Sequence, residues 1–140
     1  MVVAVVWRGR ELLVCECYNV SKAETFYRPL GGGIEFGEAA ADALAREFRE
    51  EVSSDLEDVR YLGTLENIYV YEGNPGHELV RVYEARLAAQ PLYERDSWDF
   101  QVEDGSSCHA VWKPLDDFMD SPLYPDGLLH LIKSAAPDQA

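Results

Sequence analysis

One internal stretch carries helical periodicity, and the chain on both sides of it carries strand-forming residues. Ala41, Leu44, Ala45, Phe48 and Val52 recur at the spacing of a single helix face across Glu38 to Val52, with Gly37 placed to cap the start and Glu38 in the first turn. Before it, Val2 to Trp7 and Glu11 to Tyr18 flank the Arg8-Gly9-Arg10 turn and read as a hairpin, and residues Asn19 to Thr25 read as a polar loop. After it, Val59 to Tyr71 and Glu78 to Leu87 make a second hairpin, with Asn74-Pro75-Gly76 as the turn signal. A strand at His109 to Trp112 and an amphipathic helix opened by Pro125-Asp126 follow a long polar and aromatic stretch from Gln90 to Ser107. Strands on both sides of a central helix, without regular strand–helix alternation, predict an α/β fold with a mixed sheet and helices packed on it. At 140 residues, 47% of them hydrophobic, the chain fits one domain spanning residues 1–140.

Charge narrows the partners. The formal net charge of -14 repels polyanions, so duplex nucleic acid and anionic membranes are excluded as expected partners. An anionic substrate would need a divalent cation to screen those carboxylates, and the sequence should then contain an oxygen-rich cluster to hold it. No apolar run approaches the roughly 18 to 20 residues of a membrane span. The opening MVVAVVWRGRELLV carries neither a basic n-region nor a small-residue cleavage site, so a cytoplasmic location is expected. Three cysteines, Cys15, Cys17 and Cys108, are too few and odd in number for a disulfide framework, and Cys15 and Cys17, two apart on one strand face, read as buried strand residues rather than a metal site.

The required cluster is present. Gly31-Gly32-Gly33 forms a flexible corner before Glu35 and Glu38, and Arg46-Glu47-Phe48-Arg49-Glu50-Glu51 lies on the helix beyond. Glu47, Glu50 and Glu51 occupy one arc beside the apolar stripe, because residues three and four apart are helix neighbours. Such crowding costs a few tenths of a kcal/mol per like-charged pair in water, and a bound Mg²⁺, or Mn²⁺ in its place, removes that penalty. Gly31 or Gly32 offers a backbone carbonyl to the same ion, and Arg46 is placed to orient the acids. The competing reading is a solvated acidic helix face.

Gly32, Glu38, Arg46, Glu47, Phe48, Glu50 and Glu51 match G-x5-E-x7-R-E-U-x-E-E, with U aliphatic or aromatic, and the chain here resembles the Nudix hydrolases. The stretches FYRPLGGGIEFGE, ENIYVYEGNPGHELVRVYEA and AVWKPLDDF are also similar to one bacterial group of that family. The resemblance implies an α/β/α sandwich, with Glu47, Glu50 and Glu51 as metal ligands and Glu47 or Glu50 as the base that takes a proton from water. It further implies a Mg²⁺-dependent hydrolase that cleaves a pyrophosphate bond in a nucleoside diphosphate linked to X, or in a nucleoside triphosphate, in salvage or house-cleaning. Family members often take a further ligand from a later loop, for which Glu103 and Asp104 are the candidates, with Glu103 preferred. Arg28, Gly32 and Glu38 are assigned to substrate binding. Many relatives are dimers, which leaves a homodimer open. Two departures stand out: Ser53 and Ser54 replace the usual glycine and aliphatic residue after the acids, and Pro29-Leu30 inverts the usual Leu-Pro.

Other candidates are weaker. His77, at the end of the second hairpin's turn, and His109, in the late strand, are candidates for substrate contact against the reading of ordinary surface histidines, and His130 belongs to the last helix. Tyr27, Tyr69, Trp98 and Arg81 are available as platforms and cations, although large aromatics in strands more often serve the core. A Nudix-fold binding or sensor protein without turnover is the alternative, and a reader of capped RNA is disfavoured by the missing basic stripe.

Overall fold

The computed structural model describes residues 1–102, 105–119 and 121–135. Its strands are β1 (Val2–Arg8), β2 (Glu11–Asn19), β3 (Glu24–Pro29), β4 (Gly31–Gly32), β5 (Leu56–Tyr71), β6 (Asn74–Leu87), β7 (Ser97–Gln101) and β8 (Ser107–Pro114). The helices are α1 (Ala40–Val52) and α2 (Leu128–Ala135), with 3-10 turns at Gln90–Glu94 and Leu115–Met119. The described strands join in the order β5-β6-β1-β2-β8-β7, with β3 added to β2 and β4 to β1. The sheet is mixed, as expected: β1 runs parallel to β6 and antiparallel to its other partners.

β1 shows why the sheet must be covered on both faces. Its residues Val2 to Val6 are all buried, the near-continuous apolar run of a strand with a layer on each side. Val2, Ala4 and Val6 face Leu44, Phe48 and Val52 of α1, whereas Val3 and Val5 face Leu128 and Ile132 of α2. Side-chain alternation along one strand thus builds both cores of an α/β/α sandwich. Full burial of each valine or leucine contributes about 1.5 to 3 kcal/mol.

β1 and β2 pair only near their turn, at Trp7 with Leu12 and Arg8 with Glu11, and then diverge. β3 and β4 fill the fork, one against each arm. The glycine corner therefore lies inside the sheet: a Cβ on Gly31 would collide with the Val2 carbonyl oxygen, so only glycine lets β4 press this close to β1.

Several expected boundaries move. The polar stretch after Tyr18 is shorter than predicted, because β2 continues to Asn19 and β3 begins at Glu24. The second hairpin turns at Glu72-Gly73, both at positive φ (51° and 79°), and Asn74-Pro75-Gly76 belongs to β6. Two residues at positive φ give the tight connection whose twist matches the strands. Pro75 is tolerated because β6 begins its pairing with β1 only at Arg81. Helix α1 starts at Ala40 rather than Glu38, since Ala39 is extended and residues 35–38 form a turn closed by the Glu38 N–H to Glu35 carbonyl bond at 3.0 Å. Within the polar and aromatic stretch before Ser107, Ser97–Gln101 is a strand whose Trp98 and Phe100 point inward.

Candidate active site

Ser53 ends α1 in the left-handed conformation (φ 56°, ψ 39°), a position that usually takes glycine. Its N–H reaches the Arg49 carbonyl at 3.2 Å. Ser54 is buried, and its hydroxyl accepts from the Ala89 N–H at 3.0 Å and donates to the Asp55 carbonyl at 2.8 Å. The two departures thus stop the helix and tie its end to the segment leaving β6, and the acids upstream keep their register.

Arg46 gathers those acids. Its Nε and Nη2 donate to the two oxygens of Glu38 at 2.8 and 2.9 Å, Nη1 donates to Glu47 at 3.1 Å and Glu50 at 3.4 Å, and Nη2 also donates to the Gly33 carbonyl at 3.1 Å. Bidentate charge-assisted bonds of this kind fix geometry as well as charge. The guanidinium, helped by the Glu35 N–H, holds the Glu38 carboxyl down to about 2, and the same carboxylates raise Arg46 above its usual value. Glu38 is clamped between Arg46 and the turn before the helix and does not line the cleft.

The acids divide. Glu47 is 6% exposed, and a Cβ on Gly32 would lie 2.6 Å from either of its carboxylate oxygens, so Gly32 is needed for the helix to seat this acid against β4. Glu51 comes beside Glu47, and burial together with the Glu47 carboxyl pushes it up to about 9. Glu50 is half exposed and turned toward Arg46. The structure thus brings together a facing pair, Glu47 and Glu51, with Glu50 one step aside; among the described residues no three acidic, His or Cys side chains converge as a closed metal cage. The donor chemistry nevertheless suits a hard cation, since two carboxylates are crowded together, with Arg46 bonded to Glu47 and the charge of Arg28 acting on Glu51.

Glu47 and Glu51 line a cleft of about 1000 Å³, together with Arg28, Gly31, Gly32 and Gly33. The fork between β1 and β2 opens under it, and the β5–β6 ribbon forms its far wall with Asn67, Tyr69, Tyr71 and Glu78. Phe26 packs edge-on against Tyr71 and Tyr124, with centroids 6.1 and 5.5 Å away, placing aromatic rings at that end. Sequence reasoning names Arg28 and Tyr69 but misses Phe26, Asn67, Tyr71 and Glu78, whose only local signal is their place in strands, and Tyr124, which lies between the last 3-10 turn and α2.

Other expected candidates lie elsewhere. His77 bonds Glu66 at 2.9 Å and His109 bonds Asp99 at 2.7 Å, and neither lines the cleft. Tyr27 is buried on the α2 side, Trp98 is in the core on the α1 side, and Arg81 stacks on Tyr61. Glu103 and Asp104 lie outside the described residues.

A sandwich whose forked sheet seats a helix of carboxylates over a cleft defines the class. The family model for the NUDIX domain matches residues 1–131, and the chain belongs to the Nudix family, a hydrolase of acid anhydrides. Solved structures agree in fold. A NUDIX hydrolase from Nitrosomonas europaea is 17% identical, with a TM-score of 0.65 over 94% of this chain and 84% of its own. A MutT NUDIX hydrolase from Burkholderia pseudomallei is 21% identical, with a TM-score of 0.63 over 93% and 92%. An ADP compounds hydrolase is 19% identical, with a TM-score of 0.62 over 95% and 70%.

Proposed function

We propose that the protein uses Mg²⁺, with Mn²⁺ as a substitute, to hydrolyse a pyrophosphate bond in a small nucleoside diphosphate derivative or a nucleoside triphosphate. The observation that carries this reading is the Glu47–Glu51 pair in the cleft wall, two carboxyl groups that packing sets side by side. A divalent ion there supplies an acidified water and neutralises phosphate oxygens in a protein of net charge -14.

The chain's own groups have separate tasks. Arg46 orients Glu47 through a 3.1 Å bond while it keeps Glu38 and Glu50 from repelling the set apart. Glu50, half exposed beside Arg46, would complete the ligands together with a carbonyl of Gly31 or Gly32 and the later Glu103. Of the two acids considered as proton acceptor, Glu47 lines the cleft and Glu50 does not, so Glu47 takes the proton from water. Arg28 offers its planar fork to phosphate oxygens, and the rings near Phe26 give the base or other group a stacking end.

The ADP compounds hydrolase and the Caenorhabditis elegans Ap4A hydrolase that share this fold support a small nucleotide derivative as substrate. A panel of nucleoside triphosphates, dinucleoside polyphosphates and nucleotide sugars, incubated with and without Mg²⁺ while phosphate products are followed, tests it. Metal-dependent cleavage between phosphates in at least one class is expected. Tight binding with no product from any of them, at neutral and alkaline pH, would establish a sensor instead.

A further inference from the structure

The hydrolytic reading leaves the three cysteines without a task, yet all three line the cleft. Cys15 and Cys17 point to the same face of β2, with sulfurs 3.9 Å apart, and Cys15 also contacts Cys108. The β2–β3 register sets Cys15 opposite Arg28 and Cys17 opposite Phe26, so the Arg28 guanidinium shares their face. Their exposure differs: Cys15 is 3% exposed, whereas Cys17 and Cys108 are half-buried. Burial raises Cys108, while the hydrogen-bonded contact with Cys15 and the charge of Arg28 bring Cys17 down to about 7. A part-exposed thiol beside a cation and a second thiol is the setting in which thiolates react.

We propose that Cys17 is a modification site that takes a low-molecular-weight disulfide, the resulting adduct filling the cleft beside Arg28 and stopping hydrolysis. The Cys17 thiolate attacks one sulfur of the small disulfide. A bond forms to Cys17, the original S–S bond breaks, and the other half leaves as a thiolate that takes up a proton equivalent to the one Cys17 lost. Cys17 is oxidised and the departing half is reduced. Only the loss of turnover rests on the function proposed above.

Incubation with glutathione disulfide at about pH 7.5, followed by intact-mass measurement and peptide mapping, tests the site without requiring turnover. The expected result is a single adduct on Cys17, removed by dithiothreitol, with nucleotide hydrolysis lost in proportion to its occupancy. Cys17→Ser should take up no adduct and keep its hydrolysis during the same treatment. An adduct on Cys108, no adduct at all, or full turnover by the modified protein would overturn the proposal. Absence of hydrolysis in untreated protein would count against the function alone, because the mapped position of the adduct is read independently.

Discussion

Arg46 shares one guanidinium among Glu38, Glu47, Glu50 and the Gly33 carbonyl, a set of contacts that a point charge on a flexible stem does not reproduce. Arg46→Lys should therefore keep the fold while losing roughly 10- to 100-fold in metal affinity, the usual cost of removing a group that orients ligands. Metal titration with circular dichroism as a control for folding measures it; unchanged affinity would show that the acids hold themselves. Glu38 gives the pH counterpart. Its carboxyl is held near 2, below the roughly 4.3 of an unfolded glutamate, so its contribution to stability is complete above about pH 4.3 and disappears as pH falls toward 2. Glu38→Gln should be less stable than the parent near neutrality, with the gap in melting temperature closing through that acid window. At this scale the motif residues are legible because their chemistry is local: one fork and several acids at fixed helical offsets. The division of the acids into a facing pair and an outlying Glu50 is not legible, because Gly32 and Glu47 meet only after β4 docks on β1.

Helix α1 connects the sheet to the site, with Leu44 and Phe48 fully buried on one side and the acids on the next arc. Its end is held by a serine at φ 56°, a conformation that costs a residue with a Cβ about 1 to 2 kcal/mol. Ser53→Gly should stabilise the protein by about 1 kcal/mol, visible as a melting temperature raised by about 3 °C. No rise would mean that the serine side chain compensates for the strain. The central helix, the first hairpin and the last helix are readable because their apolar periods are strong. The second turn is misplaced because Asn74-Pro75-Gly76 is a stronger composition signal than Glu72-Gly73, although the latter pair takes the positive φ values. Strand β7 escapes because five alternating residues are a short pattern, and its two inward aromatics gain their meaning only from pairing with β8.

For the whole molecule, the excess of carboxylates is most concentrated at the Glu47–Glu51 pair, where the proposed cation would relieve it. Burial and Glu47 lift Glu51 to about 9, so the metal-free native state keeps a proton that an unfolded glutamate gives up near 4.3. Because the folded form binds more protons, this group lowers stability as pH rises between those two values, and a divalent ion that displaces the proton offsets the loss. Mg²⁺ should accordingly raise the melting temperature more at about pH 8.5 than at about pH 6. The mixed sheet with helices on it can be anticipated from the order of elements, and the sandwich from the family resemblance, but the cleft cannot, since its two walls come from β2–β3 and from the β5–β6 ribbon, distant in sequence. The most direct measurement is Mn²⁺ binding followed by electron paramagnetic resonance in the parent and in Glu51→Gln. Binding by the parent, weakened at least about tenfold by a change that removes one ligand charge and almost no volume, with nucleotide cleavage lost in parallel, is the predicted result. Equal binding by the two proteins would contradict it.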